Sequence, residues 1–70
     1  MTTHIEIEIK VAVICSNQFG TLFQTSEGWH INGDKIRFIN NLKKDVNSDD
    51  IFAQICANNA LFLINNYKEI

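Results

Sequence analysis

Across residues 4–15 the chain alternates without a break. Ile5, Ile7, Ile9, Val11, Val13 and Cys15 fall on one side of an extended backbone, and His4, Glu6, Glu8, Lys10, Ala12 and Ile14 on the other. This two-residue period is the mark of a β-strand. The second side changes character halfway: His4 to Lys10 want water, whereas Ala12 and Ile14 do not, so the strand reads as half-exposed first and covered on both faces later. At about 3.3 Å per residue the run would span roughly 40 Å, more than the width of a domain this small. It must bend, carry a bulge or run past its own domain.

With 70 residues the chain is one compact domain, residues 1–70, and at that size a single core is marginal without a disulfide, a metal or a second subunit. Eight acids and six bases give a net charge of −2, and 20 % charged residues against 46 % apolar ones argue against disorder. The charge is spread evenly: residues 1–40 and residues 41–70 each carry three bases and four acids. A strongly basic nucleic-acid binder or a polyacidic DNA mimic would be more polarised. No apolar run reaches the roughly 18–20 residues of a membrane span, and the first six residues have neither a basic nor an apolar region of a signal peptide. The expectation is a cytoplasmic protein without membrane contact. Nine asparagines and eleven isoleucines suggest an AT-rich coding sequence, as in a mobile element or a low-GC bacterium.

Turn chemistry divides the chain beyond this run. Ser16-Asn17-Gln18 precedes a second strand, Thr21-Leu22-Phe23-Gln24-Thr25, which should return antiparallel to the first, and Ser26-Glu27-Gly28 makes the next turn. Residues 29–38 then read as a β-hairpin with Asn32-Gly33 at a type I′ tip, pairing Ile31 with Asp34, His30 with Lys35 and Trp29 with Ile36. In that register Trp29, Ile31, Ile36 and Phe38 share one face, and His30, Lys35 and Arg37 the other. Residues 42–47 are polar and read as a loop.

Ser48-Asp49-Asp50 has the chemistry of a helix start: a hydroxyl to cap free N–H groups and two acids for the positive end. Ile51, Phe52, Ile55 and Cys56 follow with helical spacing. Residues 60–64 admit two readings. If the helix continues to Tyr67, Leu61-Phe62-Leu63-Ile64 wraps almost round it, with Asn59 and Asn66 inside the apolar arc. If the helix ends near Asn58, these residues form a short buried strand, which is the preferred reading. The expected fold is therefore α+β: a small antiparallel sheet of three to five strands, including the Asn-Gly hairpin at 29–38, with one helix starting near Ser48 packed on it.

Little in the sequence carries catalysis. Cys15 and Cys56 sit in apolar runs 41 positions apart, a setting for two reduced thiols rather than for a nucleophile, a redox pair or a zinc site with His4 and His30. Adjacent carboxylates such as Asp49 and Asp50 diverge by about 100° on a helix and do not share a ligand. Gly20, Gly28 and Gly33 match no phosphate-binding pattern. No cofactor, metal or catalytic set is expected, and an enzyme is disfavoured.

What remains is surplus apolar surface. Ile14, Phe19, Leu61 and Phe62 exceed what one helix and a small sheet can cover, and they are the candidate protein interface. The expected function is a small non-enzymatic protein-binding module, an inhibitor or adaptor that occupies a partner protein's surface, and a homo-oligomer through the edge of the first strand or the Leu61-Phe62 region. The alternative is a small nucleic-acid-binding protein using His30, Lys35, Arg37, Lys43 and Lys44.

Overall fold

The computed structural model describes residues 11–70. Three antiparallel strands, β1 (Ala12–Asn17), β2 (Gly20–Thr25) and β3 (Gly28–Gly33), form an open sheet in chain order, and two helices follow, α1 (Lys35–Asp45) and α2 (Ile51–Asn66). The fold is α+β, as the composition and patterning led us to expect. The part of the alternating run at residues 4–10 lies outside the described residues.

Both β-turns are held by local side chains. Asn17 Oδ1 accepts from the Phe19 N–H at 2.8 Å, and Thr25 Oγ1 accepts from the Glu27 N–H at 3.1 Å, so each turn has its own hydrogen bond before the strands pair. β1 carries a bulge between Val13 and Cys15, one of the three devices its length required. The extra residue reverses the pleat: Val13 pairs with Phe23, whereas Cys15 pairs with Leu22, which faces the core. Without the bulge Val13 and Cys15 would share a face.

One face of the sheet is covered. Leu22, Trp29 and Ile31 meet Phe38 and Leu42 of α1 and Ala57, Ala60 and Leu63 of α2 in a single buried cluster. Phe38, Leu22 and Leu42 are its largest fully buried side chains. Small alanines on α2 let it approach the bulky side of α1, a matching of large and small that fills the space between helices.

The hairpin expected over residues 29–38 is not formed. Asn32 and Gly33 finish β3, paired with Thr21 and Gly20, and Asp34 then caps α1 by accepting from the Arg37 N–H at 3.2 Å. Ile36 and Phe38 alternate like a strand, but Phe38, Ile39 and Leu42 also recur at helical spacing, and the burial of Phe38 and Leu42 in the core decides between them. Residues 42–45, expected in a loop, complete α1, whose last turn places Lys43 and Lys44 at the negative end of the helix. The described residues thus form two helices where one was expected.

α2 corrects two further expectations. It runs unbroken through residues 60–64, which are helix and not strand. Its cap is Asp50, whose Oδ1 accepts from the Phe52 N–H at 3.0 Å, while Ser48 Oγ accepts from the Asp50 N–H at 3.1 Å. The expected start is displaced by about half a turn, and neither acid lies in the first turn. After α2, residues 68–70 run beside β3: the Trp29 N–H donates to the Lys68 carbonyl at 3.0 Å, and the Ile70 N–H donates to the Trp29 carbonyl at 2.8 Å.

Candidate protein-binding surface

α2 is built from sixteen residues, none of them charged. A helix that is apolar nearly all round is normally buried nearly all round. This one is not. Ala57, Ala60 and Leu63 turn to the core, and the opposite side presents Phe52 at 78 %, Ile51 and Phe62 at 62 % and Ile55 at 52 % exposure. Asn58, Asn59 and Asn66 complete this outward side. Ile55, Asn59, Phe62 and Asn66 follow one another at spacings of four, three and four, a continuous stripe along the helix.

A second apolar surface lies on the uncovered face of the sheet. Val11, Phe23, Thr25, His30 and Ile70 line a shallow dish there, next to the exposed Val13. A third feature is a groove between β1 and the first half of α2, lined by Cys15, Asp45, Asp50, Phe52 and Cys56 among others. Both cysteines are free thiols, Cys15 half-buried and Cys56 exposed. Burial pushes the Cys15 thiol above its ordinary value, and the neighbouring Cys56 and Asp45 push the same way.

The four candidate interface residues part company. Ile14, Phe19 and Leu61 are partly buried against the core, and Phe62 is exposed on the stripe of α2. Phe19 also lines a shallow pocket with Gln18, Arg37, Asn40, Asn41 and Lys44, where the β1–β2 turn meets α1. The basic candidates separate too. Arg37, Lys43 and Lys44 are exposed on α1, with Arg37 3.6 Å from Asp34. Lys35 is held by Glu69, its Nζ 3.0 and 3.1 Å from the two carboxylate oxygens. His30 pairs across the ladder with Phe23, on the open sheet face away from α1. Four of the five therefore share α1, with Lys35 tied to Glu69, and His30 lies apart on the open sheet face, so no single face gathers all of them.

Sequence reasoning passed over Ile51, Phe52 and Ile55 as surface residues. Their helical spacing was legible, but large apolar residues are the natural choice for a core, and here the core side belongs to alanines. The signal that marks the inward stripe is Ala53-Ala57-Ala60-Ile64, spaced four, three and four. Among the described residues no group of three or more His, Cys, Asp or Glu is placed to hold a metal ion, and no helix is long and apolar enough to cross a membrane. Comparison with protein-family models, curated proteins and solved structures finds no match to this chain.

Proposed function

We propose that this chain is a small non-enzymatic protein-binding module, an inhibitor or adaptor that acts by occupying a protein surface through the outward side of α2. The observation that carries the reading is a charge-free helix with four large apolar side chains exposed along one side. Such a surface costs little to desolvate, because no charge has to leave water when a partner covers it. Aromatic anchors such as Phe52 and Phe62 are the residue types that dominate protein interfaces. The proposal includes the cytoplasm as compartment, supported by two cysteines that are free thiols.

A photo-crosslinking phenylalanine analogue at position 62, introduced in the native host, tests this reading. A protein captured there, and lost when Phe52→Asp is added, is the expected result. Retention that weakens steeply with salt and depends on Arg37, Lys43 and Lys44 would instead favour the nucleic-acid reading, since phosphate contacts release counterions and apolar contacts do not.

A further inference from the structure

The outward side of α2 is complementary to itself, and we infer that its occupant is a second copy of this chain, packed antiparallel about a two-fold axis between Asn58 and Asn59. The inference rests on the reading of α2 as a protein-binding face and names the partner. Asn58 and Asn59 are the two central residues of the helix Ile51–Asn66. An isologous antiparallel pair brings together residues equidistant from its centre. Ile55 and Phe62 are such a pair, so each Ile55 meets the partner's Phe62, and the contact is made twice. Both lie on the same exposed stripe, about two turns apart.

Charge selects this direction over the parallel one. Asp49 and Asp50 precede the helix and are exposed, whereas no charged residue lies between them and Tyr67 at its other end. Antiparallel packing sets this acidic end of each copy beside the uncharged end of the partner's helix, with the helix dipoles opposed. A parallel pair would set the Asp49-Asp50 ends of the two copies side by side, like charge against like. Between the rims nothing is charged, and the asparagines at the axis supply polar groups that fix the register, as a single asparagine does in a coiled coil.

The area suffices. A fully exposed phenylalanine presents about 200 Å², so Ile51, Phe52, Ile55 and Phe62 leave on the order of 500 Å² open per copy. Asn58, Asn59 and Asn66 extend this towards the ~800 Å² per partner of a standard interface.

Light scattering coupled to size exclusion, on the full chain across a wide dilution series, reads the outcome. Wild type is expected at twice the 8.0 kDa chain mass. Ile55→Asp and Phe62→Lys are each expected to be monomeric, with helix content unchanged by circular dichroism. Combining the two restores the dimer, because each introduced carboxylate meets the partner's introduced ammonium; within one chain the positions are too far apart to pair. As an independent check, Asn59→Cys with Cys56→Ser should cross-link to itself under glutathione disulfide, and Cys56→Ser alone should not. A wild type at single-chain mass throughout, a double variant that stays monomeric, or no cross-link at position 59 each overturns the inference. The two readings fail separately: a monomeric wild type that still captures another protein at position 62 removes the self-pairing and leaves α2 as an interface. A dimer indifferent to Phe62→Lys removes the self-pairing through α2, and no capture of any protein at position 62 removes the wider reading.

Discussion

The indole Nε1–H of Trp29 donates to the carbonyl of Tyr67 at 2.8 Å. Tyr67 is the C-cap of α2, so this bond fastens the end of the last helix to the third strand, on a side chain that is itself part of the core. Together with the backbone bonds from Lys68 and to Ile70, it fixes where α2 stops and which side it turns outward. Trp29→Phe keeps most of the ring and loses the donor, and it is expected to cost about 1 kcal/mol, the net worth of one hydrogen bond. Trp29→Ala adds a cavity and should cost about 3–5 kcal/mol. Urea unfolding of the two variants checks the ratio; a Trp29→Phe stability equal to wild type would mean that the indole N–H contributes nothing.

Gly33 is the second fixed point. Its φ of +132° is a conformation that side chains avoid, and a β-carbon there would sit against the Phe19 carbonyl oxygen, which already accepts from the Asp34 N–H at 2.8 Å. In a type I′ turn, alanine would be milder than valine. Here the β-carbon itself is the obstacle, so Gly33→Ala and Gly33→Val are both expected to destabilise by more than ~1 kcal/mol. A melting temperature unchanged by alanine would show that the strand end can move away from Phe19.

Gly33 also shows where the sequence was legible and where it was not. Asn32-Gly33 was recognised as a place where the chain must do something only glycine does, but the four-residue turn it would centre, 31–34, and the helix cap share Asp34. Asp34 reads as the far side of a hairpin or as the start of α1, and only the tertiary burial of Phe38 and Leu42 separates the two. The second strand and the turns on either side of it were plain because Asn17, Gly20, Ser26 and Gly28 agree with the alternation around them, whereas the cover expected on both faces of residues 11–15 is absent: Val11, Ala12 and Val13 are exposed on the open sheet. α2 was half legible. Its start was marked by Ser48-Asp49-Asp50, whereas its outward face was hidden, since nothing local tells Ala60 from Phe62 as the core residue. Phe62 was singled out as surplus; its neighbours Ile51, Phe52 and Ile55 were not.

The cap of α2 can be tested against the expectation drawn from sequence. Asp50 accepts the Phe52 N–H, and Ser48 only supports the residue before the helix. Asp50→Ala is expected to cost about 1 kcal/mol, within the usual range for a lost N-cap, and Ser48→Ala less. Thermal unfolding ranks them, and the reverse order would place the helix start nearer Ser48.

The thiols give a pH dependence with a definite sign. Cys15 is held above the ordinary thiol value of 9.0, chiefly by burial and then by Cys56 and Asp45. Near and above pH 9 the unfolded chain loses this proton while the folded chain keeps it, so the unfolded state is favoured. The stability contributed is present in full below the unfolded value and is lost as pH rises through the folded one. Cys15→Ala should flatten the alkaline limb of stability against pH; an unchanged limb would assign the loss to other groups. Alkylation at pH 8 should label exposed Cys56 well before half-buried Cys15, and denatured protein purified without oxidant should give two thiols per chain.

The seating of α2 on its alanines yields the sharpest contrast. Ala60 is fully buried against the cluster of Phe38, Leu42 and Leu22, where the close approach of the helices depends on its small size. Enlarging it forces either the helix outward or neighbouring side chains off their rotamers, at a typical cost of about 1–3 kcal/mol. In a domain of this size, 1 kcal/mol shifts the melting temperature by roughly 4–8 °C. Ala60→Leu is therefore expected to melt clearly below wild type, even though leucine is apolar and helix-favouring. Asn65→Ala, on an exposed position of the same helix, should stay within about 0.5 kcal/mol of wild type. Had the helix buried Ile55 and Phe62 instead, Ala60 would face water and leucine there would be harmless. A melting curve for Ala60→Leu that overlays wild type would mean that α2 turns its alanines outward.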